Sequence, residues 1–161
     1  MAGVAAGTDF TTLGVKFGYA IETTAGTKPT AFTQLERCRS VGGIDLSQEK
    51  IDLSCLEDQV TKYGKGRQDT GGDWSVKFLT GAVAQVKAMM SAANTAYLAG
   101  KNTWFEVWVP GLSDAFYVVA QPGTKIPLPE VGDNAALEFS LSLTIQEYKG
   151  LDTAIEPAAA A

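Results

Sequence analysis

Ala136-Leu137-Glu138-Phe139-Ser140-Leu141-Ser142-Leu143-Thr144-Ile145-Gln146-Glu147-Tyr148 carries the plainest structural signal in the sequence. Leu137, Phe139, Leu141, Leu143 and Ile145 alternate with Glu138, Ser140, Ser142, Thr144 and Gln146. A period of two is the mark of a strand with one buried face. Burial of each large apolar side chain contributes roughly 1.5–3 kcal/mol. The five apolar residues are therefore expected on the core, with the five polar ones on the opposite face.

The same signal recurs in the segments that precede it. Residues 115–120 and 103–109 read as strands joined across Pro110-Gly111, the latter rich in aromatic and β-branched residues. Trp74, Val76 and Phe78 share one face of a strand over 74–79. Residues 35–44 give a weaker strand closed by Gly42 and Gly43. Near the start, Val15, Phe17, Tyr19 and Ile21 alternate with Gly14, Lys16, Gly18, Ala20 and Glu22, ahead of a loop carrying Gly26 and Pro29. One segment departs from the pattern. Over 81–99, Val83, Val86, Met90, Ala93 and Tyr97 recur at spacings of three and four, and Gly100 stands at the C-cap, so a helix is expected. Met89 and Met90 are read as packing residues.

These elements predict a mainly β (α+β) domain of two packed antiparallel sheets, as a sandwich or a rolled barrel, with one flanking helix. The 161 residues suit one domain with a proper core. Residues 1–12 and 150–161 read as extended arms. Residues 44–72 read as a long charged loop between early strands, carrying Asp45, Glu49, Asp52, Glu57, Asp58, Lys62, Lys65 and Arg67. Loops of that length in compact domains are usually functional or ordered by a partner.

Chemistry is limited by what is missing. The sequence has no histidine, which removes Ser-His-Asp and Cys-His nucleophiles and most zinc sites. Gly64-Lys65-Gly66 lacks the spacing and following hydroxyl of a phosphate loop. Asp69-Thr70-Gly71 resembles the signature of retroviral-type aspartic proteases, whose chemistry needs two aspartates sharing a proton. Here Gly66, Arg67 and Gln68 precede it in place of apolar strand residues, and a polar turn is the better reading. Glu57-Asp58 fits a solvated or interface loop better than a calcium or glycosidase site. Cys38 and Cys55 make no disulfide framework and read as two small buried thiols in a reducing compartment.

The net charge of −5 opposes tight nucleic-acid binding, which needs a basic surface. The cations Lys62, Lys65 and Arg67 around Tyr63 are interleaved with acids and make a weak footprint. No apolar run approaches a membrane span, and Met1 to Thr12 lacks the pattern of a signal peptide, so folding in a cytoplasm without membrane binding is expected.

A resemblance adds to this reading. Leu35-Glu36-Arg37-Cys38-Arg39-Ser40-Val41-Gly42-Gly43-Ile44, Ser47-Gln48-Glu49-Lys50-Ile51-Asp52, Leu56-Glu57-Asp58, Tyr63, and Gly66-Arg67-Gln68-Asp69-Thr70-Gly71-Gly72 resemble the front half of tail tube proteins of long-tailed bacteriophages. The order that follows, a strand, one helix and strands ending in a long alternating one, is similar too, so the likeness spans most of 14–148. The resemblance implies homohexameric rings stacked into a tube, with DNA passing through the lumen unbound. It implies a virion tail protein assembled in the bacterial host cytoplasm, with tape measure, tip and terminator proteins as partners. It implies that the 44–72 loop meets neighbouring subunits, that terminal arms add contacts between rings, and that Glu138, Ser140, Ser142, Thr144 and Gln146 are lumen candidates. No catalytic residue, cofactor or metal comes with it. The alternatives are a type VI secretion-like tube ring and a monomeric ligand-binding β-barrel with Tyr19, Trp104 and Trp108 around its cavity.

Overall fold

Residues 11–159 are described by the computed structural model. In chain order they form β1 (Lys16–Ile21), β2 (Thr33–Gln34), β3 (Cys38–Val41), β4 (Ser47–Asp52), β5 (Tyr63–Asp69) and β6 (Asp73–Leu79). A 3-10 turn at Thr80–Ala82 leads into α1 (Val83–Leu98), followed by β7 (Thr103–Trp108), β8 (Asp114–Pro122) and β9 (Glu138–Thr153). Seven strands make one sheet in the order β2-β1-β7-β8-β9-β6-β3, and β4 and β5 make a second, two-stranded sheet. All pairings between these strands are antiparallel.

The large sheet curls on itself. Adjacent strands lie about 4.8 Å apart, so a flat sheet would hold β1 and β6 roughly 19 Å from each other. Instead Phe17 of β1 meets Trp74 of β6 edge-on with ring centroids 5.7 Å apart, and lies 6.0 Å from Phe78. The rolled arrangement expected from the sequence is thus one curled sheet rather than two equal layers. Its concave side holds Phe17, Trp74, Val76, Phe78, Phe105, Val118, Phe139, Leu141 and Leu143 with the apolar face of α1. A smaller cluster of Phe32, Trp104, Ala115, Tyr117 and Val119 covers part of the other face.

In β9 the alternation holds through its middle and fails at both ends. Phe139, Leu141 and Leu143 are buried, and Ile145 packs half-buried against them. Leu137 precedes the strand and is 44% exposed, so its expected place on the core is corrected. At the far end Ala120 pairs with Ile145 and Val119 with Glu147, leaving Gln146 as the extra residue of a bulge. A second irregularity skips Lys149 between Tyr148 and Gly150. Each inserted residue resets the alternation, so the period of two read through Gln146 runs unbroken only to Ile145.

The helix buries Val86, Met89, Met90, Ala93 and Ala96. Tyr97, expected on this face, is 52% exposed, and the small Ala96 takes the inner position instead. The helix stops where Gly100 adopts φ +81°. Lys101 N–H donates to Ala96 O at 2.9 Å and Gly100 N–H to Tyr97 O at 3.0 Å, the two bonds of a Schellman cap. A Cβ at Gly100 would meet nothing within 4 Å, so its cost is conformational rather than steric. Gly100→Ala is expected to lose about 1 kcal/mol net, read as a lower urea midpoint at unchanged slope. An unchanged midpoint would mean that the cap tolerates a side chain.

Two segments read as irregular are ordered. Residues 44–72 contain the β4–β5 hairpin, which the sequence conceals because neither of its faces is buried. The C-terminal arm is docked rather than loose. Residues up to Thr153 belong to β9, and Ala158 then bridges Thr33 in parallel, with Gln34 N–H donating to Ala158 O at 2.7 Å and Ala158 N–H to Phe32 O at 2.9 Å. Most of the N-terminal arm lies outside the described residues. Thr11 and Thr12 are exposed.

Candidate assembly surface

The β4–β5 hairpin is built by composition rather than by burial. Every residue of β4 is exposed, and β5 is exposed apart from half-buried Gly64 and Gly66. The two strands contact chiefly each other. Gly64 leaves room for Leu53, whose Cδ1 would stand 2.8 Å from a Cβ there, and Gly66 lets the strand pass 2.6 Å from Glu49 O at the same imagined atom. The register shifts between Gln48 and Lys50, and Lys50 is set directly opposite Lys65. Like charges facing each other across strands weaken a ribbon.

The turn is tied by polar side chains. Asp52 Oδ1 accepts from Ser54 N at 2.8 Å, and Lys62 N donates to Ser54 Oγ at 2.7 Å. Asp58 Oδ2 accepts from Cys55 N at 2.9 Å while its Oδ1 lies 3.0 Å from Lys62 Nζ. The Cys55 N–H and then Lys62 hold the Asp58 carboxyl below its ordinary pKa, and the Ser54 N–H does the same for Asp52. With its turn so fixed, the hairpin displays Ile51, Leu53, Leu56, Val60 and Tyr63 at exposures of 50–106%. Ile51 and Leu53 fall on one face of the ribbon and Tyr63, opposite Asp52, on the other, so both faces carry apolar groups in water.

Of the eight charged residues singled out in this segment, Asp58 and Lys62 form an ion pair. Asp45, Glu49, Asp52, Glu57, Lys65 and Arg67 are exposed, in no ion pair among the described residues. The apolar residues between them were missed, although Ile51, Leu53, Leu56 and Val60 amid charge are themselves a legible signal.

The polar face of β9 is less bare than its own sequence implies. Ser140, Ser142 and Thr144 pair with Lys77, Ser75 and Asp73 of β6. Glu138 is half-buried and bound to Arg39 at 2.8 Å. The acids Asp73 and Glu138 are thus matched by Lys77 and Arg39, giving a face of hydroxyls with no net charge.

The remaining candidates resolve simply. Asp69 Oδ1 accepts from Gly71 N at 2.9 Å, and Gly71 and Gly72 both have positive φ, so Asp69-Thr70-Gly71 is a polar turn entering β6. Both cysteines are free, but Cys55 is exposed, against the expectation of two buried thiols. Burial pushes the Cys38 thiol up to about 11, with a weaker opposing bond to Ser40. Among the described residues no cluster of His, Cys, Asp and Glu could hold a metal, and no helix is long and apolar enough to cross a membrane.

Tyr19, Trp104 and Trp108 do not share a cavity. Tyr19 pairs with Phe105 and packs on the concave core, whereas Trp104 lies in the second cluster, its Nε1 donating to Glu22 Oε1 at 2.7 Å. An open apolar groove of about 620 Å³ lies elsewhere, bounded by Phe17, Val41, Ile44, Trp74, Val107 and Tyr148 beside β3. There β3 is an edge of the large sheet, with the unpaired backbone that such an edge exposes.

No family model and no curated protein matches the chain. Among solved structures, it is similar to a chain of the anti-feeding prophage baseplate in a six-fold symmetrised cryo-EM structure. That match has a TM-score of 0.48 and 10% identity, covering 92% of this chain and 96% of the other. It is also similar to a chain of the tail of an empty GTA particle with C6 symmetry. There the TM-score is 0.49 and the identity 16%, with 77% of this chain and 87% of the other covered.

Proposed function

We propose that this chain is a structural subunit, not an enzyme, that assembles with copies of itself into six-membered rings stacked as a phage tail tube. The observation that carries the reading is the β4–β5 hairpin, an ordered ribbon whose strands contact chiefly each other and which leaves five apolar side chains at least half exposed among the described residues. Exposed apolar area is stabilised by removal from water, and a neighbouring subunit does this at every position of a symmetric array. The unpaired β3 edge and the apolar groove beside it offer a second surface of the same kind.

The sequence resemblance over 35–72 supports the specific choice of a tail tube. So does the β9 face, which carries no net charge and has Ser140, Ser142 and Thr144 as its exposed or half-exposed hydroxyls. DNA carries about one negative charge per 1.7 Å of axis, and a neutral hydroxyl lining would let it pass without holding it. In this reading the subunit sits in the virion tail after assembly in the bacterial cytoplasm, and meets tape measure, tip and terminator proteins at the tube ends.

Electron microscopy and sedimentation of the purified chain over rising concentration test the proposal. Six-membered rings or stacked tubes are the expected result. A monomer at every concentration, and in cells producing the complete particle, would overturn it.

A further inference from the structure

β7 reads Thr-Trp-Phe-Glu-Val-Trp, which sets Glu106 between Trp104 and Trp108 on one face. A carboxyl there is unexpected, and it is fully buried. Its neighbour on β1 is Gly18, whose missing side chain leaves space for Pro157, 3.0 Å from where a Cβ would stand. The C-terminal segment 154–158 therefore lies over Glu106 like a strap.

Glu106 Oε2 accepts from Ile155 N–H at 3.1 Å and lies 2.7 Å from Tyr117 Oη. Tyr117 Oη is in turn 2.6 Å from Thr153 O. Two oxygen–oxygen contacts this short each need a proton between them. The tyrosine hydroxyl supplies one, and the carbonyl has none. The second proton must reside on Glu106, which donates to Tyr117 while Tyr117 donates to Thr153. Glu106 Oε1 has no hydrogen-bond partner among the described residues, which a neutral acid tolerates far better than a carboxylate.

We propose that Glu106 is held as a neutral carboxylic acid whose proton locks the 154–158 strap onto the sheet, so that rising pH releases the strap. On ionisation the tyrosine proton can serve only one of its two contacts, and a charge is left in an apolar site. The strap is the element free to yield, because Glu106 is the side chain that grips its backbone. Its other ties are the backbone bonds to Ser113, Phe32 and Gln34, the Lys16–Glu156 ion pair, and the packing of Ala154, Ile155 and Pro157 on the sheet. Release frees Phe32 O and Gln34 N–H, uncovering the β2 edge for another strand.

The surrounding charges are accounted for. Burial pushes Glu106 up, and the bonds from Tyr117 and Ile155 and the charge of Lys28 oppose this without cancelling it. Lys28 sits 4.1 Å from the Tyr117 ring centroid, and is itself engaged by Asp152 at 3.2 Å and Thr153 O at 3.0 Å. On the same face Lys16 pairs with Glu156, Lys149 with Glu147, and Glu22 is satisfied by Trp104, Gly26 and Asn102. The folded chain holds the Glu106 proton above the ordinary value of 4.5, where the unfolded chain has lost it. The resulting stability is complete below 4.5 and disappears as pH rises through the folded midpoint.

This inference concerns one chain and does not depend on the tube. The test is a carbon-13 titration of the Glu106 carboxyl in the full chain, with hydrogen exchange of the strap amides over the same pH range. The expected result is a midpoint above 4.5 and a step in exchange at Ala154, Ile155 and Ala158 at that midpoint, beyond the smooth rise of β8 amides. Glu106→Gln should abolish the step. If that variant does not fold, the two wild-type measurements decide alone. A midpoint at or below 4.5, or a raised midpoint with no matching step in strap exchange, overturns the lock.

Discussion

Phe17→Ala is expected to destabilise the chain by about 3–5 kcal/mol, the range for a large aromatic removed from a packed core. Phe17 is 1% exposed and stacks on Phe105 with centroids 5.6 Å apart and planes 14° from parallel. On its other sides stand Trp74 and Phe78. Phe105 is on the neighbouring strand, while Trp74 and Phe78 belong to a strand four places away in the sheet. The ring is therefore both a core residue and the contact that brings the two limbs of the curl together. Typical domains are stable by only about 5–15 kcal/mol, so the variant should be close to unfolding at 37 °C. Urea denaturation with fluorescence detection measures the loss. A loss under about 1 kcal/mol would mean that the curl is held by other contacts.

Removing residues 52–65 is expected to abolish polymerisation while leaving the body folded. The deletion takes the tip of the hairpin, with Leu53, Leu56, Val60 and Tyr63, and none of the concave core. Since β4 and β5 contact chiefly each other, the melting temperature should move by no more than a few degrees. Circular dichroism checks the fold and sedimentation checks assembly. Tubes of normal length from the deleted chain would separate the hairpin from assembly. A gentler variant, Leu56→Ser with Val60→Ser, should weaken assembly without altering the hairpin's own bonds, because both side chains are more than three-quarters exposed.

The parts of the fold legible in the sequence are those where one face is buried and the other wet. Phe139, Leu141 and Leu143 announce their strand because solvent occupies the opposite side. The bulge at Gln146 leaves no such trace, since an inserted residue changes the register without changing composition. The hairpin was hidden for the opposite reason. With both faces exposed, nothing selects apolar residues at every second place, and Gly64 and Gly66 read as loop. The charged residues of the candidate surface were legible by count, but their arrangement by pairing was not. Glu106 was concealed by its type, as glutamate is seldom fully buried. The flanking Trp104 and Trp108 were the available signal, because a strand with aromatics on both faces has no wet side to offer.

Burial also makes Glu22 a fixed point. Its site pushes the carboxyl up, yet bonds from Trp104, Gly26 and Asn102, with the Lys149 charge, together hold it below the ordinary value. Two buried glutamates on one face are thus shifted in opposite directions, and the donors around each make the difference.

The position of β9 has a consequence for the order in which the molecule can form. It is the last of the described strands, yet it lies between β8 and β6 in the middle of the sheet. Before residues 138–153 emerge, the β3–β6 pair has no strand linking it to the β2-β1-β7-β8 half. During synthesis the chain therefore holds two part-sheets with no ladder between them, each with a raw edge where β9 belongs. The closing step inserts one strand between two waiting edges, gaining both ladders at once. Such late, non-local pairing is slow, because loop closure is unfavourable until the contacts it permits have formed. Folding is then set by a single keystone strand, and a ribosome-bound chain lacking it has no complete surface to offer a neighbour.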